Sequence, residues 1–475
     1  MVGKDPRLPA WTEATRRARR GDDLRAFAAE ERGNMSIFSI FMVLIILAMG
    51  GIGIDMMNSE IHRLKLQNTL DRAILAAADL DQAQPARNVV NDYFAKAGLT
   101  DALADVQVDE GLNYRTVSAE AELGFRPLFM HLLGVGDMEA SASGTATERV
   151  NNVEISLVLD ISGSMDGNSK LINMQAAAEN FIDAVINDRS ADLVSVNLIP
   201  YSEHVNAGEW IARDVNLHER HPYSWCVEFS DAEFGTSYID TTIRHEQAQH
   251  FQWNYDGRHN DRSNTVCPRY SYEEIRPFSQ DATALKDQIG DLRPRAGTSI
   301  FLGMKWATGM LDPHFRPITQ DLVSRGLVDA GFADRPAAFS DEETLKVIVL
   351  MTDGMNDRSN RITESIYDGN EGHWDRYNLW YYLYRQNVSS WYRPYYYYQK
   401  YDAAQGDRLL ENVCNAAKDA GIVVWSIGFE VTDHGAAVME GCASSPNHFF
   451  RVEGTEIGDA FSTVAQQINQ LKLIQ

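Results

Sequence analysis

Three short clusters of oxygen-bearing side chains carry the chemistry that this sequence offers. Asp160, Ser162 and Ser164 stand in DISGSM, a D-x-S-x-S spacing that lets one tight loop turn three oxygens toward a single point. Thr298 lies in RAGTSIFLG, a glycine-opened loop running into a helix, and Asp353 follows the apolar stretch TLKVIVLMT directly, in TDG. Hard oxygen donors with only two carboxylates suit a magnesium-like cation that keeps several of its waters, with manganese or calcium as alternatives. Such an ion would be only partly neutralised and open to an outside ligand. The competing reading is that these groups merely cap helices, where serine and aspartate are common. The order of the three clusters, each at the end of a strand or the start of a helix, favours the metal.

The elements that must position them are legible from periodicity. VEISLVLD reads as a buried strand, followed beyond DISGSM by a helix through Ala176 to Ile186; LVSVNLIPYS, TLKVIVLMTDG, a helix from Arg408 to Ala420, and GIVVWSIGFE continue the alternation. Continuous apolar strands separated by helices imply an α/β fold, a doubly wound, Rossmann-like parallel sheet, with ligands in the crevice beyond the carboxyl ends of the strands. This domain is expected over 151–475, with insertions near 203–280 and 356–407 leaving the upper side of the sheet. The second insertion contains WDRYNLWYYLYRQNVSSWYRPYYYYQKY, too aromatic for disorder. Tyrosine and tryptophan give broad contact area at little entropic cost, so the segment is either a binding face, carbohydrate stacking included, or a cap over its own core.

Strand, DxSxS, GTS and strand-TDG in that order resemble the metal-ion-dependent adhesion site of von Willebrand factor type A (vWA) domains, over about residues 150–475. The resemblance implies that Ser162 and Ser164 coordinate the ion directly, Thr298 directly or through water, and Asp160 and Asp353 mainly through waters. It further implies that a glutamate or aspartate of a protein partner completes the coordination.

The N-terminal third reads as an anchor. Gly33 to Ile54 carries no charged residue and is about long enough to cross a bilayer as a helix, so we expect a basic tail over 1–33, a membrane helix over 34–57 and its amphipathic extension over 58–83. A cleaved signal peptide is the alternative, but the apolar run is long for one and a charged helix follows it. Lys4, Arg7, Arg16, Arg17, Arg19, Arg20, Arg25 and Arg32 precede the span and only Arg63, Lys65 and Arg72 follow closely, which puts the N-terminus in the cytoplasm and the bulk outside the inner membrane. Residues 84–150 read as a small α+β spacer. RGNMSIFSIF followed by GIGIDMMNSEIHRLKLQNTLDRAILAAA resembles the N-terminal segment of TadG-like Flp pilus-assembly proteins, a match over about residues 31–80. It departs from type IV-type prepilins, which place a glutamate five residues after the cleavage glycine; counted from Gly33 that position is Phe38. The terminus, CNAAKDAG through CASSPNHFF to the final amphipathic helix, is similar to that of TadG-type vWA domains. The resemblance implies a Cys414–Cys442 disulfide, leaving Cys226 and Cys267 to close a loop in the first insertion; two buried free thiols are the alternative for either pair.

Composition narrows the function class. A net charge of -24 repels phosphates and argues against nucleic acid. The four cysteines form no CxxC pair. HEQAQH, at His245 to His250, misses the zinc-protease spacing because its histidines are five apart and would diverge by roughly 140° on a helix. No GxSxG elbow, phosphate loop or EF-hand is present, and no histidine and acid pair is assignable to Ser162. We therefore expect a non-enzymatic, membrane-anchored binding protein of pilus assembly. An adhesin using the same metal site, an enzyme housed in the insertions, and a plain tether are the alternatives.

Overall fold

The computed structural model describes residues 33–475 except 81, 83, 111–113, 151, 188–189, 191, 254–257, 342, 472 and 475, so the basic tail used to argue orientation lies outside the described residues. The chain divides into two units, Met1–Glu148 and Arg149–Gln475.

In the first unit one helix, α1 (Gly33–Ala78), runs through 46 residues. At 1.5 Å per residue it is about 69 Å long, more than twice a bilayer's ~30 Å apolar layer, so only its first part can span. That part exposes its apolar side chains, Ile37, Phe41 and Leu47 at 57, 62 and 63% among them. Further on, Leu66, Leu70, Ala73, Ile74 and Ala77 recur every three or four residues and are buried. They pack with α2 (Ala86–Lys96) and an antiparallel sheet of β1 (Leu103–Glu110), β2 (Tyr114–Phe125) and β3 (Met138–Val150). Small residues suit this close approach: Val117, Ala119 and Ala121 alternate on the inner face of β2, and Gly144 of β3 lets Leu70 and Ile74 come within 3.0 Å of where a Cβ would sit.

The second unit is built on a six-stranded sheet. Its strands are β4 (Asn152–Asp160), β5 (Val194–Tyr201), β6 (Arg276–Ser279), β7 (Thr344–Thr352), β8 (Val423–Phe429) and β9 (Phe449–Val452), in the order β9-β8-β7-β4-β5-β6. All pair parallel except the edge strand β6. Both faces are covered, which is why the central strands read as unbroken apolar runs. Ile155, Leu157 and Leu159 face α3 (Lys170–Val185) and the C-terminal α8 (Glu456–Leu471), whereas Val158 faces α5 (Ile300–Leu311) and α6 (Ala403–Asp419). Helix α5 is buried along its whole length, and at Gly303 a Cβ would meet Tyr201 and Val158 at 2.9 Å, so glycine there sets the helix against the sheet. Two further helices, α4 (Ala282–Asp291) and α7 (Asp433–Cys442), complete the layers.

Several boundaries differ from the sequence reading. Helix α3 starts at Lys170 and α6 at Ala403, where Asp402 caps it through the Gln405 amide. The end of the segment read as the first insertion is β6, four residues containing a proline and lacking alternation, which pattern reading does not register as a strand. Cys442 is the last residue of helix α7. Both disulfides are formed, Cys226–Cys267 and Cys414–Cys442.

The two insertions share one aromatic core in which Phe251, Trp253 and Val266 of the first meet Tyr367, Trp374, Leu379 and Leu383 of the second. The aromatic segment is thus a cap over its own core, and it still presents Trp391, Tyr392 and Tyr395 at 85, 66 and 66% exposure. Lys305 of α5 fastens the first insertion to the sheet layer. Fully buried, its ammonium donates to the carbonyls of Glu233, Thr236 and Tyr238 at 2.5, 2.9 and 2.8 Å. Burial lowers its pKa to about 8. Lys305→Met leaves three carbonyls without their donor and is expected to cost about 2–4 kcal/mol in denaturant unfolding; a loss below about 0.5 kcal/mol would show that the clamp is dispensable.

Candidate metal centre

From β4 the sheet grows outward through β5 to β6, then the chain returns to β7 and grows the other way through β8 to β9. The reversal falls between β4 and β7. At such a switch point the loops leaving the two strands diverge, opening a crevice at their carboxyl ends. The DxSxS loop leaves β4 there, and TDG leaves β7.

Asp160 closes β4 and is fully buried. One carboxylate oxygen accepts the Ser162 amide at 2.7 Å and the other the Thr352 hydroxyl at 2.7 Å, so it folds the loop back and ties it to β7. Ser162 Oγ lies 2.9 Å from Ser164 Oγ, and Ser164 donates to Asp353 Oδ1 at 2.6 Å. The loop before α5 is held against this one: the Gly163 amide donates to Ala296 O at 3.0 Å and the Arg295 amide to Ile161 O at 2.7 Å. That brings Thr298 in. A Cβ on Gly354 would sit 3.7 Å from Ser164 Oγ and 4.0 Å from Thr298 Oγ1, so both hydroxyls face the TDG turn. The five oxygen-bearing residues picked from the sequence therefore form one cluster, in which Asp160, Ser162, Thr298 and Asp353 are buried and Ser164 is exposed.

The donor set fits a small divalent ion. Two ligands in neighbouring corners of an octahedron with ~2.1 Å bonds are about 3.0 Å apart, close to the 2.9 Å between the two serine hydroxyls. Burial, together with the negative charge of Asp353, pushes the Asp160 carboxyl up to about 7. Two carboxylates close enough to repel one another favour a cation beside them, and part of that need is met internally. Lys170, the first residue of α3, donates to Asp353 Oδ2 at 2.8 Å and has Glu430 Oε2 at 3.8 Å.

Thr352, Lys170 and Glu430 were not picked from the sequence. Thr352 belongs to TDG, and Glu430 directly follows β8, so strand ends could have found both. Lys170, six residues beyond Ser164, obeys no spacing rule. Of the near-miss HEQAQH, His245–Gln247 is a short strand and not a helix. His245 Nε2 bonds to Asp240 O at 2.9 Å and His250 Nδ1 to Ser224 Oγ at 2.8 Å. His218 and His245 line a cleft of about 610 Å³ with Glu228, Glu246 and Arg361. Among the described residues, no three of histidine, cysteine, aspartate and glutamate gather in a metal-binding group.

The strand order, with its reversal between β4 and β7, makes the doubly wound α/β sheet that the vWA resemblance implies. Residues 33–80 match the family model described as putative Flp pilus-assembly TadE/G-like. The N-terminal segment is TadE/G-like. That match spans α1 and leaves the sheet-bearing unit to be judged on its own geometry. Among solved structures, the chain is similar to the vWF domain of the type V pili tip protein Mfa5 from Porphyromonas gingivalis, at 15% identity and TM-score 0.36 over 69% of this chain and 98% of that one. The pilus adhesin SpaC from Lactobacillus rhamnosus GG aligns at 13% identity and TM-score 0.35, over 78% of this chain and 34% of that one. A von Willebrand factor type A protein from Catenulispora acidiphila aligns at 11% and 0.29, over 78% and 50%. The fold assignment rests on strand order and not on these superpositions. No curated protein shows significant sequence similarity to the chain.

The raised Asp160 carboxyl sets a pH dependence. The folded state holds this proton more tightly than the unfolded chain does, so the group's contribution to stability is full below about pH 4 and is lost as pH rises through about 7. In chelator, Asp160→Asn is therefore expected to gain thermal stability relative to wild type between pH 5 and 8. A variant that instead falls further behind wild type across that range would contradict the assignment.

Proposed function

We propose that this chain is a membrane-anchored vWA protein serving the assembly or anchoring of a Flp-type pilus, which docks a partner's carboxylate through a divalent cation. The observation that carries this reading is the convergence of Ser162, Ser164, Thr298 and Asp353 at the switch point, over a buried Asp160 that holds the loop in shape. Serine and threonine hydroxyls add no charge, so a bound dication keeps positive potential toward the outside, and an aspartate or glutamate of a partner protein is its natural complement. Magnesium suits hydroxyl and water ligands best, with manganese or calcium as substitutes. The chain's own residues supply binding and orientation only, and no bond is made or broken. Inner-membrane insertion by α1, with the N-terminus cytoplasmic and the larger unit on the exported side, is part of this proposal and is supported by the apolar span, the TadE/G-like segment and the charge asymmetry around it.

A second reading, a surface or pilus-tip adhesin, is favoured by the exposed Trp391, Tyr392 and Tyr395, which could also stack on carbohydrate. One experiment separates the two. Ser162→Ala with Thr298→Ala, introduced into the native gene, is expected to abolish pilus fibres while leaving the protein level normal, and to remove manganese binding by the purified chain. Normal fibres with lost adhesion would move the function to the adhesin reading; normal fibres and normal adhesion would reduce the site to a structural loop.

A further inference from the structure

The loop between β2 and β3, PLFMHLLGV, is unusually apolar for a turn on a protein surface. Leu128, Phe129, Leu132, Leu133 and Val135 are exposed at 62, 41, 74, 59 and 38%. Among the described residues of the first unit they stay exposed, yet the loop is firmly mounted. Asp55, the residue that closes the apolar part of α1, accepts the amides of Leu128, Phe129 and Met130 at 2.7, 2.8 and 2.6 Å. One helical turn earlier, Gly51 forms the seat of Phe129: a Cβ there would lie 2.7 Å from the Phe129 Cβ and 2.8 Å from its Cγ. Gly51 is about 6 Å further into the apolar stretch than Asp55.

From this mounting we infer that residues 127–135 lie in the bilayer beside the exit of α1, with Leu128, Leu132 and Leu133 among the acyl chains. The occupant of this apolar surface is lipid because the surface continues that of the helix, whose Leu47 and Ile54, to either side of Gly51 along the axis, are exposed at 63 and 52%. Entry into lipid requires backbone donors to be satisfied within the protein. Six of the eight amides of 127–135 are bonded this way: those of Leu128, Phe129 and Met130 donate to Asp55, Leu132 to Phe129 O, Gly134 to His131 O, and Val135 to Met130 O. Asp55 is tolerated at this depth for the same reason, since its oxygens are filled by those three donors. The loop then acts as a second, half-inserted foot that resists tilting and rotation of the anchor.

The inference rests on the reading of α1 as a membrane span, and the test separates the two. Leu132→Cys, Ile46→Cys and the exposed control Asp105→Cys are made in the full chain, whose native cysteines are all in disulfides, and labelled with an environment-sensitive fluorophore in phosphatidylethanolamine and phosphatidylglycerol vesicles. Position 132 is expected to be blue-shifted and quenched by brominated acyl chains nearly as strongly as position 46, and Gly51→Leu, which unseats Phe129, should return it to the level of position 105. Quenching at 46 with position 132 like position 105 overturns the loop and leaves the span. Emission that is blue-shifted at 132 but indifferent to brominated lipid also overturns it, in favour of a protein cover. No quenching at 46 overturns both.

Discussion

The second unit depends on the buried carboxylate of Asp160. Held by the Ser162 amide on one oxygen and the Thr352 hydroxyl on the other, it spans the gap that opens where strand order reverses. That tie joins the end of β4 to the end of β7, and the bonds of Ser164 and Lys170 to Asp353 extend it outward. With it, Ser164 reaches Asp353 with Ser162 beside it, and the backbone bond from Gly163 to Ala296 brings the threonine loop alongside. The tie is costly, since a desolvated acid faces a second acid, and the expense is what makes the crevice receptive to a cation. Lys170 meets part of that demand with a charge already on the chain, so an incoming dication meets an ammonium that can turn toward Glu430.

Much of this was legible in the sequence because both the sheet and the site follow local rules. Continuous apolar strands announce burial on two faces, and Asp160 and Asp353 sit where such strands end. What was not legible depends on distance. The antiparallel edge β6 is short and carries a proline; Lys170 reaches Asp353 across 183 residues; and the clamp of Lys305 on three carbonyls has no pattern at all. HEQAQH shows the reverse lesson, since its histidines belong to a short strand and its loop and bond to separate partners.

The first unit obeys the same economy. Asp55 is an acid whose oxygens are filled by backbone donors, and it fixes a loop to a helix as Asp160 fixes a loop to a strand. In each unit one buried aspartate organises the segment proposed to meet something outside the chain, a lipid layer in one and a metal-borne ligand in the other. The aromatic insertions, rigid on their shared core, offer a third surface beside the crevice loops, since Asp357 at the start of the second insertion donates its amide to Thr298 O at 2.8 Å.

The central claim, that a divalent ion occupies the β4–β7 switch point, is tested most directly by anomalous diffraction at the manganese edge from crystals of the chain grown with manganese. One strong peak is expected about 2.1 to 2.3 Å from the hydroxyls of Ser162 and Ser164, lost in Asp160→Ala crystals. A map without a peak at that position, or with manganese bound only elsewhere, would contradict it.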